Sequence, residues 1–351
     1  MSTRPPLPAH RARRGWSQAQ LAEQAGVSRT EISAIETGRV VPSVLVALRL
    51  AAVLGEPVEA LFGSAPATAP RWAWPPAGAD RRLWQATVNG TVVAYPVEPT
   101  AAGSLPHDAR ADHDVPELAP GTRPDRTLVI AGCDPLVTFL VREMAERHDV
   151  RVLPLLRSSA EALDLLRRGL VHVAGVHLTN DEESSANDEQ VRRQLGGGHC
   201  LLHQVRWDTG IAVGRHRRER RASDLLRTGV RWVNREEGSA ARQALDRLLA
   251  RRPRKPSGYA HVVRDHRSVA ATIASGWAEA GICIRATAVE AHLHFLPLHR
   301  DAYELCLHES LLDDPRVIAL TAALGSRRYR QWLAEVPGCV SSDTGAQRMI
   351  G

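Results

Sequence analysis

The chain has 351 residues, 44% of them hydrophobic and 24% charged, the composition of a soluble, core-forming protein long enough for two or three domains. No apolar run approaches the roughly 18 residues of a membrane span. Residues 1–8 carry no signal-type apolar core, so a cytoplasmic location is expected. The net charge is +6, but Lys255 is the one lysine among 45 basic residues, which reads as a coding bias toward arginine rather than as evidence for nucleic-acid binding.

Residues 1–63 form a short helical module. Ser17-Gln18-Ala19-Gln20 and Ser28-Arg29-Thr30-Glu31 both have capping-box spacing, with a serine that accepts from an N3 amide and a Gln or Glu that reaches back. Gly26 makes the turn between two short helices. The second helix, residues 29–36, is expected to bury Ile32 and Ile35 and to expose Arg29, Thr30 and Ser33, while Leu45, Leu48, Leu50, Ala51 and Leu54 supply a helical core. The string from Trp16 through Ser17-Gln18-Ala19-Gln20-Leu21-Ala22 to Val27-Ser28-Arg29-Thr30-Glu31-Ile32 and Glu36-Thr37-Gly38-Arg39 closely resembles the lambda-repressor-like (XRE) helix-turn-helix family over residues 16–62. The resemblance implies double-stranded DNA as partner. Gln18 and Ser28 would sit at helix N-termini near the duplex, Arg29, Thr30 and Ser33 at base edges, and Arg39 at a phosphate. Two packed helices in a protein-interaction bundle would leave the same pattern. Pro8 and His10 depart from the family, which implies a short or frayed first helix or a misassigned start.

Proline and small residues over 64–80 read as a semi-rigid linker. Residues 81–125 read as a β-hairpin around Asn89-Gly90, whose residues tolerate positive φ, followed by an exposed loop. From residue 126 to 336, short β-rich runs alternate with helical stretches, which argues for βαβ units and mostly parallel sheets. Residues 337–351 read as a C-terminal tail.

Parallel sheets place ligands at the carboxyl ends of strands, where helix N-termini begin. Cys133-Asp134-Pro135 and the run from Asn234-Arg235 to Ser239-Ala240-Ala241-Arg242 are such junctions; Ser239 is the expected cap, with Arg242 one turn on and able to close over an anion. Together with Gly175-Val176-His177, Gly258-Tyr259 and Asp265-His266-Arg267, these strings resemble a periplasmic-binding-protein-like domain of molybdate-binding type. The resemblance implies a two-lobed α/β (type II) domain around a cleft. Its ligand-binding candidates here are Cys133, Asp134, His177, Asn234, Arg235, Ser239, Ala240, Arg242, Tyr259 and His266. Asp134 reads equally as a helix cap, Cys133 as a small buried hydrophobe and His266 as helix-end packing. Where the family has Gly-Ser-Gly-Thr-Arg, this chain has Gly-Ser-Ala-Ala-Arg, and Ala241 removes a hydroxyl.

Five cysteines without CxxC spacing (Cys133, Cys200, Cys283, Cys306, Cys339) are expected as free thiols, and His292 and His294 as surface histidines, so no metal site is expected. The Arg215–221 run is expected as a solvated loop. No catalytic constellation stands out. The fold class expected is therefore an all-α helix-turn-helix head plus a two-lobed α/β domain. The expected function is a one-component, dimeric transcriptional regulator that senses a small, anionic effector and needs no cofactor. The alternative is a ligand-free platform for oligomerisation or partner binding.

Overall fold

The computed structural model describes residues 7–62, 71–78, 80–111, 118–177, 185–219, 221–227, 229–250 and 254–351. The described residues fall into two compact units, an N-terminal one over 7–62 and a second from Arg71 onward.

The first unit holds helices α1 (Leu7–Arg13), α2 (Gln18–Ala25), α3 (Arg29–Glu36), α4 (Val44–Leu54) and α5 (Val58–Phe62). Ser17 and Gln20 form the full reciprocal box at the start of α2, which ends at Gly26 in the left-handed region. Ser28 accepts from the Glu31 amide at 3.0 Å without the return bond, so only half of the second expected box is made. The first helix is short but formed. Leu7 at its start is fully buried with Leu21, Ile32, Ile35, Leu50 and Leu61, so α1 reaches the core through Leu7. Leu45 and Leu48 are not core, contrary to expectation, being 60% and 54% exposed. The helix buries Ala47, Leu50, Ala51 and Leu54, and that i, i+3, i+4, i+7 stripe turns Leu45 and Leu48 outward.

The second unit opens with β1 (Arg71–Trp72), β2 (Arg82–Val88), β3 (Thr91–Pro96) and β4 (Ala109–Arg110), a four-stranded sheet in the order β1-β3-β2-β4. The hairpin turns at Asn89 and Gly90, with φ of 49° and 76°. β1, paired with β3, lies inside the stretch read as linker; residues 63–70 and 79 lie outside the described residues. The following loop is also less free than expected. Asp108 is buried and accepts from the Gln85 amide at 2.7 Å and from Arg151, and Trp84 Nε1 donates to Pro106 O at 2.8 Å.

Beyond the hairpin run β5 (Thr127–Gly132), α6 (Val137–His148), β6 (Arg151–Leu156), α7 (Ser159–Arg167), β7 (Val173–Val176), α8 (Ser185–Leu195), β8 (His199–Val213), α9 (Ala222–Arg227), β9 (Trp232–Arg235), α10 (Ala240–Leu249), β10 (Val262–Val263), α11 (His266–Ala274), β11 (Ala280–Ile284), α12 (Arg285–Glu290), β12 (His294–His308), α13 (Pro315–Gly325), α14 (Arg327–Ala334), β13 (Cys339–Val340) and β14 (Gln347–Ile350). The main path of their sheet is β10-β9-β11-β8-β12-β7-β5-β6. β5, β6 and β7 are parallel and make one lobe; β9, β10 and β11 are parallel neighbours and make the other. The antiparallel pair β8 and β12, each 15 residues long, crosses from lobe to lobe. Each lobe buries apolar residues on both faces of its sheet. The expected C-terminal tail is instead part of this sheet. β13 and β14 pair with β8 beside its first half, which β11 does not reach, and so cover backbone that would otherwise be an open edge.

Candidate functional site

In the first unit, α3 presents Arg29 and Thr30 to solvent, with Ser33 half-buried and Arg39 exposed beyond the helix, where Arg39 Nε donates to Thr37 Oγ1 at 3.0 Å. Gln18 is occupied differently. Its Nε2 donates to Glu36 Oε2 at 2.8 Å, and Arg11 donates to the same buried carboxylate at 2.6 and 3.1 Å. Glu36 thus ties α1 and α2 to the end of the exposed helix.

In the second unit, the carboxyl ends of strands from both lobes meet at a buried cluster. Cys133 follows β5, His177 follows β7, Arg235 ends β9 and His266 opens α11; all four are at most 1% exposed. The crossing strands add Trp207 and Tyr303. The His177 ring centroid lies 5.7 Å from that of His266, 5.6 Å from Trp207 and 5.7 Å from Tyr303. Gly132 and Gly175 make this possible, because a Cβ on either would collide with the Tyr303 hydroxyl. His177 Nδ1 has Ser159 Oγ at 3.3 Å and Cys133 Sγ at 3.6 Å. Arg235 Nη2 donates to Glu236 Oε1 at 3.1 Å. Its Nε and Nη1, Trp207 Nε1 and both ring nitrogens of His266 are buried and without a hydrogen-bond partner among the described residues.

Burial sets the protonation of this cluster. The His177 ring is pushed down to about 4 and His266 well below the usual histidine value, so both are neutral. Burial also pushes the Cys133 thiol up to about 11, against the opposing pull of the Arg235 guanidinium.

The remaining candidates are engaged elsewhere. Asp134 does not cap α6, whose N-cap is Leu136 without a side-chain bond; it braces the turn before the helix, Oδ1 accepting from the Leu136 amide at 2.7 Å and Oδ2 from Gln204 at 2.6 Å, while burial raises its carboxyl to about 6. Asn234 bridges to Tyr259 O at 3.2 Å, and Ser239 caps α10 by accepting from the Arg242 amide at 3.2 Å, with Ala240 buried behind it. Arg242 does not close over the cluster. It donates to Asp246 at 3.0 Å, to Tyr259 Oη at 2.7 Å and to Arg235 O at 3.3 Å, and it stacks on the Tyr259 ring, so that both residues belong to the flank of their own lobe. The N-terminus facing the Ser239 loop is that of α7 rather than α6: a Cβ on Gly238 would stand 3.1 Å from Ala160 Cβ and 3.6 Å from Ser158 Oγ. The α6 start meets α11 instead, through Arg267 Nη1 donating to Pro135 O at 2.5 Å. Sequence reading missed Trp207, Tyr303 and Ser159. It also assigned no metal ligands, whereas the ligating atoms of Cys133, His177 and His266 lie within 4.8 Å of one another. All five cysteines are free, and His292 and His294 are exposed.

A family model described as the PBP superfamily domain matches residues 141–325, just over half of the chain. The chain belongs to the PBP superfamily. A helix-turn-helix family model matches residues 9–61, so this is a helix-turn-helix DNA-binding regulator fused to a PBP-like domain. Its PBP-like part is similar to the uncharacterized protein YvgK of Bacillus subtilis, 30% identical over 244 residues, which cover 67% of this chain and 77% of that protein. The head is similar to an uncharacterized HTH-type transcriptional regulator of Methanothermobacter thermautotrophicus, 46% identical over 54 residues, or 15% of this chain and 78% of that protein. Among solved structures, the tungstate ABC transporter of Geobacter sulfurreducens is similar at TM-score 0.47 and 15% identity, over 60% of this chain and 99% of that one. No described helix is long and apolar enough to cross a membrane.

Proposed function

We propose that the PBP-like domain of this regulator is a sensor that closes over a small anionic ligand and thereby tunes operator binding by a dimer. The observation that carries this reading is the surplus of buried donors at the lobe junction. Arg235 Nε and Nη1, Trp207 Nε1 and one His266 nitrogen each hold a hydrogen with no acceptor among the described residues. Leaving a donor unpaired in a protein interior costs about 1–3 kcal/mol, and more for a charged group. Two such donors on one guanidinium and two more on rings of the same cluster are what an oxyanion or carboxylate would satisfy. A platform without a ligand has no use for them.

Closure of the lobes is the element a ligand would bias, and linkage then makes DNA affinity depend on occupancy. Two heads are expected to act together, since one head reads a single half-site with few contacts. The test is a thermal-shift panel of molybdate, tungstate, sulfate, phosphate and small carboxylates on the full chain. At least one should stabilise it, Arg235→Gln should abolish that response, and Arg242→Ala should leave it in place. A flat panel, or a response indifferent to Arg235, would overturn the reading.

A further inference from the structure

Beside the unpaired donors, the same cluster holds three side chains of another chemistry. We propose that Cys133, His177 and His266 form a binding site for a borderline-soft divalent metal ion of zinc type, buried where the strand ends of the two lobes meet. The three ligating atoms lie within 4.8 Å of one another, and all three residues are at most 1% exposed. Cys133 Sγ stands 3.6 Å from His177 Nδ1 and 3.8 Å from Nε2. A tetrahedral zinc with Zn–S of about 2.3 Å and Zn–N of about 2.0–2.1 Å holds its sulfur and nitrogen ligands roughly 3.5–3.8 Å apart, so this edge of the site has its spacing already.

The second observation is His266. Its ring is fully buried, yet neither nitrogen has a partner among the described residues. A neutral imidazole that only packs would ordinarily have one nitrogen bonded to backbone or side chain, as His172 of this chain has on both sides. His177 has the partner that ligating histidines usually keep: with Nε2 on the metal, Nδ1 retains Ser159 Oγ at 3.3 Å to fix the ring. Thiolate and imidazole together select zinc-like ions over magnesium or calcium, which take oxygen.

On binding, the Cys133 thiol gives its proton to solvent and the sulfur becomes the anionic ligand. A divalent ion on one thiolate and two neutral rings keeps one positive charge and one open position. Arg235, paired through Nη2 with Glu236, lies near enough for its charge to act on all three. An anion shared by the metal and Arg235 would balance both charges, a part of the inference that rests on the anion-sensing reading above.

The test uses the full-length protein treated with chelator, with Co2+ alone as the probe. Titration should produce the near-ultraviolet thiolate-to-cobalt absorption together with intense visible bands of four-coordination. Cys133→Ser should abolish the thiolate band, and Cys283→Ser, which removes a buried thiol outside the cluster, should leave it intact. His266→Ala should keep the band but weaken Co2+ binding by about tenfold or more. Absence of the band in the parent protein, its survival in Cys133→Ser, or undiminished affinity in His266→Ala would each overturn the site. Phosphate added to the chelated protein tests the anion reading by itself. If it gives no Arg235-dependent stabilisation while the cobalt band forms, the metal site stands and the anion reading falls.

Discussion

His172 shows how tightly single residues commit this fold to a protonation state. Its Nδ1 accepts from the Val129 amide at 2.9 Å and its Nε2 donates to Thr87 O at 2.9 Å, joining the hairpin to the first lobe. Only the neutral ring fits, and burial pushes it down to about 4, as it does His177. Both folded values lie below the unfolded one of 6.5, so as pH falls the unfolded chain takes up protons first and stability is lost between about pH 6.5 and 4. Asp134 works the other way: raised to about 6, its stabilising protonated form is lost as pH rises through that value. At pH 5 each histidine removes on the order of 2 kcal/mol relative to pH 7, while the single carboxyl returns on the order of 1 kcal/mol. The melting temperature of the PBP-like domain should therefore fall from pH 7 to pH 5. His172→Gln, whose amide can replace both hydrogen bonds without titrating, should flatten that fall. An unchanged slope would assign the pH dependence to other groups.

At the scale of elements, α3 carries the surface expected to face DNA, and Glu36 at its end ties it to α1 and α2. Arg29→Ala should cost roughly 1–3 kcal/mol of specific binding where Arg29 reads a guanine, in gel shifts at fixed salt, with the fold unchanged. Glu36→Ala should instead destabilise the head itself, because Arg11 and Gln18 both lose their acceptor. A second element, β14, is held by Arg348, which pairs with the fully buried Glu304 and with Asp188 at 2.6 Å. Arg348→Ala leaves Glu304 without its cationic partner and should cost about 3–5 kcal/mol in denaturant unfolding. The short parallel strands and their helices were legible in sequence, since each apolar run is bounded by a cap or a glycine. The crossing strands were not: β8 is buried along nearly all of its 15 residues, a run with neither the period of a helix nor the alternation of a half-exposed strand. The site was read to the same depth. Cys133, His177, Arg235 and His266 sit at strand ends and helix starts that pattern alone marks, whereas Trp207 enters through the pairing of β8 with Asp301 of β12, which no local signal encodes. Arg242 misled because one turn beyond a cap is also i−4 from Asp246, and that carboxylate claims it.

For the whole molecule, the decisive property is that the two units have separate cores. The head encloses Leu7, Leu21, Ile32, Ile35 and Leu50 in one cluster, and no residue of that cluster belongs to the clusters of the PBP-like domain. Units with independent cores unfold as independent cooperative blocks, so calorimetry of the full chain should resolve two transitions. A ligand that binds only the folded two-lobed domain stabilises that block by mass action, about 2.7 kcal/mol at a hundred times its dissociation constant. For a domain of this size that corresponds to a rise of roughly 4–5 °C in one transition. The head transition should stay where it is, because the anion has no affinity for it. Operator DNA should produce the mirror image, raising the head transition and leaving the other. With both ligands present, any shift beyond the two separate ones is the coupling free energy through which a sensor would speak to its operator. Strictly additive shifts would leave two functioning binding modules in one chain and remove regulation by the anion from the proposal.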